Sequence, residues 1–269
     1  MPLIHIDSLE DHRLRPYLDL RNKRLPTRAG KFIAEGDLVV GRLLESPYQV
    51  ESLVVADNQL HRLAIPEQTV VYVTPHTLIE SLIGFKFHRG ILGCGIRPAA
   101  TPLNCLVAPL EQPTTVVVCA TVHDPENLGG ILRNCAAFGV DLVVVSTDSA
   151  DPLSRRVLRV SMGTALKLKI YQTSQLADDL RRLHTEFAIH LAASVVDPCA
   201  PTLDTAGRPR RFGLILGNER TGLSPAVLAA SQSRWTIPMH PHADSLNVAV
   251  ASGIFLYHFS NQGASPFAP

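Results

Sequence analysis

Apolar runs rich in β-branched residues alternate along the second half of the chain with stretches whose apolar residues recur at helical spacing. TVVVCATV (residues 115–122) is apolar at nearly every position, the pattern of a strand buried on both faces. LGGILRNCAAF follows as a helix, closed by Gly139 as a left-handed cap, and VDLVVVST (residues 140–147) is the next strand. Further strands are predicted at LKIYQ, FAIHLAASV, RFGLILG and RWTIPM, with helices between several of them. Such alternation predicts an α/β fold with a mainly parallel sheet covered by helices on both faces. The first hundred residues read as a smaller α/β unit. FIAEGDLVVGRLLES is predicted as a helix, VESLVVAD and TVVYVT as strands, and HTLIESLIGF as a helix. The proline-rich, aperiodic stretch over residues 97–115 carries the linker. The expected organisation is a first domain over 1–105, a linker over 106–114 and a second domain over 115–269.

Ligands of parallel sheets bind beyond the carboxyl ends of the strands, so the segments just after the strands hold the candidate chemistry. Three stand out. In HDPENLGGILRNCAAFG (residues 123–139), Asn127 lies near a helix start, and Gly129 and Gly130 precede Arg133 by one turn. Glycines there clear space for a ligand or a partner helix, or serve close helix–sheet packing. In LILGNERTGLS (residues 214–224), a buried strand runs into Gly217 and Glu219, and Ser224-Pro225 reads as a helix cap and first position. In WTIPMHPHADSLNVAVASGIFLYHF (residues 235–259), a short strand ends at Pro238 and a helix starts at Ser245, its expected N-cap, with Asn247 in the first turn.

Composition narrows the class. With 46% hydrophobic residues over 269, the chain is globular, and no apolar run is long enough to span a bilayer. The N-terminal stretch lacks a hydrophobic signal core, and the five cysteines form no CxxC pair, so a reduced, cytoplasmic protein is expected. His240 and His242 lack further ligands at metal-site spacing, so no metal is expected; no GxSxG elbow, GxGxxG or GxxxxGK[ST] loop occurs. The net charge of +1 is bland, but three stretches are basic: RNKRLPTRAGK (residues 21–31), SRRVLRVSMGTALKLK (residues 154–169) and RPRR (residues 208–211). They read as solvated surface or as patches for a polyanion. On the second reading Arg21, Lys23, Arg24, Arg28, Arg155 and Arg156 are candidate contacts to the phosphates of a polyanion.

In their order and spacing, DPENLGGILRNCAAFG, LILGNERTGLS and IPM…SLNVAVASGIFLYH resemble the three motifs of the SpoU/TrmH family of RNA 2′-O-ribose methyltransferases, of the SPOUT class. DPLSRRVLRVSMG (residues 151–163) looks like that family's Arg-x-Ser-x-Gly segment. GKFIAEGDLVVGRLL (residues 30–44) resembles the ribosomal-protein-like substrate-binding domain of many members. The resemblance implies a deep trefoil knot, a homodimer packed through the knotted domain, and S-adenosylmethionine held by Gly217, Ile237, Met239, Leu246 and Ala193. It implies Arg133 as principal catalytic residue, with Asn127, Glu219, Ser245 and Asn247 around it. A guanidinium keeps its proton up to a pKa above about 12, so orientation and charge stabilisation suit Arg133 better than proton abstraction. Ribosomal RNA is the expected substrate, with transfer RNA as the alternative. A catalytically silent RNA-binding relative, or a doubly wound protein for a small metabolite, would be the other classes. Pro241 stands where the family often has glycine, Asn134 where threonine or serine is common, and Gly130 where alanine is common.

Overall fold

A computed structural model describes residues 2–18, 30–62, 64–83, 90–240 and 242–262. The chain forms two compact units, one of residues 1–99 and 153–167 and the other of residues 100–152 and 168–269. The segment over 153–167 thus belongs with the first unit, although in sequence it is flanked by strands of the second.

The first unit holds a five-stranded sheet of β1 (Leu3–His5), β2 (Lys31–Glu35), β3 (Val50–Ala56), β4 (Val71–Thr74) and β5 (Ile91–Ile96), in the order β1-β4-β3-β5-β2. Strands β1, β4 and β3 run parallel, while β5 is antiparallel to β3 and β2. Its helices are α1 (Asp37–Leu44) and α2 (His76–Ile83). The predicted helix over FIAEGDLVVGRLLES is therefore half strand. Phe32, Ile33, Ala34 and Glu35 are buried in the sheet, and Gly36, at φ +88°, turns the chain into α1. A run buried on both faces has no distinctive period, which is why it read as helix. Tyr17 is fully buried and donates its hydroxyl to the Ser52 carbonyl at 2.8 Å.

Helix α5 (Arg155–Val160) lies within this unit and packs against β2. Ser154 caps it, accepting from the Val157 N–H, and Arg155 reaches the buried Glu35 carboxylate at 3.0 Å. Gly163, at φ +80°, follows the helix so closely against α1 that a Cβ would sit 3.2 Å from Arg42 Cδ and 3.4 Å from Val39 Cα. The Arg-x-Ser-x-Gly pattern thus has a packing cause: Arg159 lies 4.0 Å from Glu35, Ser161 is fully buried, and Gly163 permits the close approach.

The second unit holds β6 (Thr114–Cys119), β7 (Leu142–Ser146), β8 (Ile170–Thr173), β9 (His190–Ser194), β10 (Arg211–Leu216) and β11 (Ser233–Trp235). They form one parallel sheet in the order β11-β9-β10-β6-β7-β8. Its helices are α3 (Leu103–Leu106), α4 (Pro125–Ala137), α6 (Leu176–Thr185), α7 (Pro225–Ala229) and α8 (Val248–Ser260). Side chains alternate across a strand, so Ile215 meets Leu180, Leu183 and Val227 of α6 and α7 on one face. Phe212 meets Trp235 and Phe259 on the other, with ring centroids 5.8 and 4.5 Å away, and this seats α8 on the sheet. Helices cover both faces, as expected. No helix among the described residues is long and apolar enough to cross a membrane.

Two segments differ from the sequence expectation. The proline-rich stretch, read from its lack of period as the place of the linker, contains α3, and its Leu103 is part of the core. Arg211, buried at the start of β10, holds that stretch by donating to the carbonyls of Ala108 (3.0 Å), Pro109 (2.6 Å) and Gln112 (2.7 Å), and also to Phe187 (2.9 Å). Arg208 donates to Thr115 Oγ1 at 2.8 Å, and Arg210 donates to the Glu111 carbonyl. The RPRR cluster is therefore spent on internal carbonyl and hydroxyl groups, which a charge count cannot distinguish from a surface patch.

Candidate active site

Strands β9, β10, β6 and β11 end along one edge of the sheet, and the three singled-out segments start there. The first begins with a strained turn. Thr121 has φ +60°, a conformation that costs a β-branched residue energy and persists only when its surroundings hold it. They do: its N–H donates to Ser146 Oγ (2.8 Å), its hydroxyl to Asp148 (2.9 Å), and its carbonyl accepts from Asn218 Nδ2 (2.9 Å). Burial pushes the Asp148 carboxyl up, but hydrogen bonds from Ser146 and Thr121 outweigh it and leave the pKa below the usual range. Asp124 then caps α4, accepting from the Glu126 N–H at 2.8 Å, with Pro125 at the first helical position. Gly139, at φ +65°, ends α4 with the Val140 N–H bonded to the Cys135 carbonyl at 3.0 Å, as the sequence predicts.

The second segment is a closed loop. Asn218 and Gly222 exchange backbone hydrogen bonds of 3.1 and 3.0 Å, and Asn218 Oδ1 accepts from the N–H groups of Arg220 (2.9 Å) and Thr221 (3.1 Å). A Cβ on Gly217 would lie 2.9 Å from the Gly222 carbonyl carbon and oxygen, so the glycine is required by the loop itself. Asn218, which sequence reasoning passed over, organises the loop; its position before Glu219 was the available signal. Ser224 caps α7 with Pro225 following, as expected.

In the third segment the strand ends at Trp235 rather than Pro238, and the start of α8 lies two residues later than predicted. Its cap is Asn247, not Ser245: Asn247 Oδ1 accepts from Ala249 N (2.9 Å) and Val250 N (3.3 Å). Asparagine caps as well as serine and also carries a donor, and that donor has a use here. Asn247 Nδ2 donates to Asn127 Oδ1 at 2.7 Å, and Asn127 Nδ2 in turn donates to Glu219. One hydrogen-bond chain therefore joins all three segments. Asn134, two turns further along the same face of α4, donates to the Ala249 carbonyl (2.8 Å) and Ser252 Oγ (2.9 Å). A Cβ on Gly130 would meet Ala249 Cβ at 2.8 Å, so this glycine clears the way for α8, the partner-helix alternative.

Three of the five expected catalytic residues, Asn127, Glu219 and Asn247, are brought together. Arg133 is exposed on α4 and, among the described residues, has no hydrogen-bond or ion-pair partner; Ser245 is exposed on the loop before Asn247. Of the expected cofactor residues, Gly217, Ile237 and Met239 are half-buried and Leu246 is 37% exposed, whereas Ala193 is fully buried within β9. Of the expected RNA contacts, Arg155 is engaged with Glu35 and Arg156 is exposed; Arg21, Lys23, Arg24 and Arg28 lie outside the described residues. Among the described residues no group of three or more His, Cys, Asp or Glu could hold a metal ion.

A sequence model of the SpoU rRNA Methylase family matches residues 114–257. An uncharacterised tRNA/rRNA methyltransferase of Mycobacterium tuberculosis is 35% identical over 263 residues, covering 94% of this chain and 90% of its own. The 23S rRNA guanosine-2′-O-methyltransferase RlmP of Bacillus subtilis is 26% identical, covering 94% of this chain and 98% of its own. Among solved structures, the AdoMet-bound rRNA methyltransferase from Sinorhizobium meliloti superposes with a TM-score of 0.84 at 23% identity, covering 98% of this chain and 99% of its own.

Proposed function

This chain belongs to the SpoU rRNA methylase family, and from that premise we propose that it transfers a methyl group from S-adenosylmethionine to a ribose 2′-OH of ribosomal RNA. The observation that carries the proposal is the Asn247–Asn127–Glu219 chain, which ties the three strand-end segments into one polar surface on the helix that also presents Arg133. A hydroxyl acceptor has to be oriented and its developing negative charge stabilised. Arg133 supplies a cation with unused donors for the ribose or its phosphate, and Ser245 supplies a hydroxyl within two residues of Asn247. Glu219 and Asn127 fix the loop on which the nucleotide rests. Relatives named for 23S rRNA 2′-O-methylation favour ribosomal over transfer RNA.

The residues present fit the cofactor. Leu246, 37% exposed, lies on the same loop as half-buried Ile237 and Met239, and these are uncharged apolar side chains of the kind that would cover a purine ring. Gly217 brings backbone, without a side chain, to the edge of the same sheet. Those residues would hold S-adenosylmethionine, whose sulfonium supplies an electrophilic methyl group without a metal. A homodimer through the second unit belongs to the proposal, supported by the exposed stripe of Val250, Ile254 and Tyr257 at helical spacing on α8. So do the trefoil knot, the cytoplasmic location and an RNA-docking role for the first unit. Labelled methyl from S-adenosylmethionine, offered with ribosomal RNA and with transfer RNA, tests the reading. The label is expected in alkali-stable dinucleotides of ribosomal RNA; label on a base, or none, contradicts it.

A further inference from the structure

Arg220 stands in the loop between Asn218 and Gly222, where the neighbouring polar groups have partners. Asn218 bonds the Thr121 carbonyl through Nδ2, at 2.9 Å, and two loop N–H groups through Oδ1; Glu219 accepts from Asn127. Arg220 contributes only its backbone to this arrangement, donating its N–H to Asn218 Oδ1 at 2.9 Å. Its side chain is exposed and, among the described residues, has no hydrogen-bond or ion-pair partner. The adjacent Glu219 carboxylate accepts from Asn127 and forms no ion pair with Arg220. The loop therefore holds Arg220 by its backbone and leaves the donors of its guanidinium without a protein partner among the described residues.

The same holds for Arg133 on α4, the helix to which the Asn127–Glu219 bond ties this loop. Asp124, at the start of that helix, is engaged in capping. Arg133 and Arg220 thus stand on the two segments that the Asn127–Glu219 bond joins, and Asp124 and Glu219 on those segments accept from other donors. A guanidinium presents a planar fork that matches phosphate oxygens in pairs. A ribose in an RNA strand has a phosphodiester on each side, so a site that places one ribose also places two phosphates.

Resting on the reading of the site as an RNA ribose methyltransferase, we infer that Arg220 binds a phosphodiester of single-stranded RNA next to the ribose that is methylated, and so sets substrate affinity rather than cofactor affinity. The test uses the full chain and its Arg220→Gln and Arg220→Lys variants. Binding of an oligouridine of about 16 nucleotides is measured in the presence of S-adenosylhomocysteine over a range of salt concentrations. Arg220→Gln is expected to weaken binding about tenfold at low salt and to flatten the slope of log K against log salt by about 0.7. Arg220→Lys keeps the slope but binds with intermediate affinity, because it retains the charge and loses the fork. With ribosomal RNA, Arg220→Gln raises KM far more than it lowers kcat, and S-adenosylmethionine affinity and Tm stay at the parent values. Equal binding and slope in parent and Arg220→Gln, or no binding of the oligouridine by the parent, overturns the inference. A parent protein that binds the oligouridine but methylates no RNA overturns the methyltransferase reading, while the binding comparison still decides Arg220.

Discussion

Asn247 has two jobs that one atom change separates. Its Oδ1 caps α8, accepting from two backbone N–H groups at 2.9 and 3.3 Å, and its Nδ2 donates to Asn127 at 2.7 Å. Asn247→Asp keeps the acceptor and deletes the donor. Asparagine and aspartate cap equally well, and a carboxylate at a helix N-terminus gains about 0.3–1 kcal/mol from the dipole, which offsets part of the stability lost with the bond to Asn127. Asn247→Ala loses the cap as well, about 0.5–2 kcal/mol, or roughly 2–4 °C of Tm per kcal/mol for a chain of this size. For catalysis the order reverses. The new carboxylate faces Asn127 Oδ1, and Asn127 can answer it only by turning its amide, which breaks its bond to Glu219. Losing one or both of these bonds, at about 0.5–1.5 kcal/mol each, lowers methyl transfer roughly 2–150-fold. Single-turnover methylation of ribosomal RNA, set beside denaturant titrations of both variants, measures the two effects separately. An Asn247→Asp protein with parental turnover would falsify the view that the chain orients the site. So would one whose lost activity tracks lost stability.

Other outcomes follow from the same structure. Arg211→Met removes four hydrogen bonds to backbone carbonyls, partly offset by releasing a guanidinium whose pKa burial already pushes down; we expect a loss of about 2–4 kcal/mol by denaturant titration with little effect on RNA affinity. A fragment beginning near Leu110, self-contained by sequence, would leave Leu153, Val157, Leu158, Ala165 and Leu166 without the first unit they are buried in. It should precipitate or unfold at lower temperature than the full chain, and a soluble fragment of parental Tm would contradict that packing. Iodoacetamide should modify exposed Cys105 and Cys199 in the native protein and reach Cys94, Cys119 and Cys135 only after unfolding, as peptide mass spectrometry can show. Burial pushes the Cys94 and Cys119 thiols up to about 12, above their unfolded value. Their contribution is therefore intact below about pH 9 and is lost as pH rises from there towards 12, which alkaline Tm measurements would detect.

Much of this architecture was legible because the second unit is periodic. Its buried strands are unbroken β-branched runs, and Asp124-Pro125, Gly139 and Ser224-Pro225 mark helix ends by local stereochemistry. The SpoU likeness implies that Asn127, Glu219 and Asn247 are neighbours, and the structure joins them by hydrogen bonds. What sequence could not show is how a residue's polar groups are spent. Arg211 and Arg133 look alike in a charge count, yet one is buried against four carbonyls and the other is exposed. Ser245 and Asn247 are equally good caps, and only the position of Asn127 across the site decides between them. Gly130 answers to Ala249, more than a hundred residues away, and Gly163 to α1. The docking of residues 153–167 in the first unit rests on contacts with Glu35 and Arg42, which no local pattern records.

Arg133 is where the account is most exposed. The decisive measurement is nucleoside mass spectrometry of ribosomal RNA from a strain lacking the protein, after incubation with S-adenosylmethionine and either the parent or Arg133→Ala. S-adenosylmethionine binding is titrated in parallel. One new 2′-O-methylated nucleoside is expected with the parent. The same nucleoside should form roughly 10²–10⁴-fold more slowly with Arg133→Ala, at nearly unchanged cofactor affinity. A base-methylated product, or an Arg133→Ala protein that turns over at the parental rate, would contradict it.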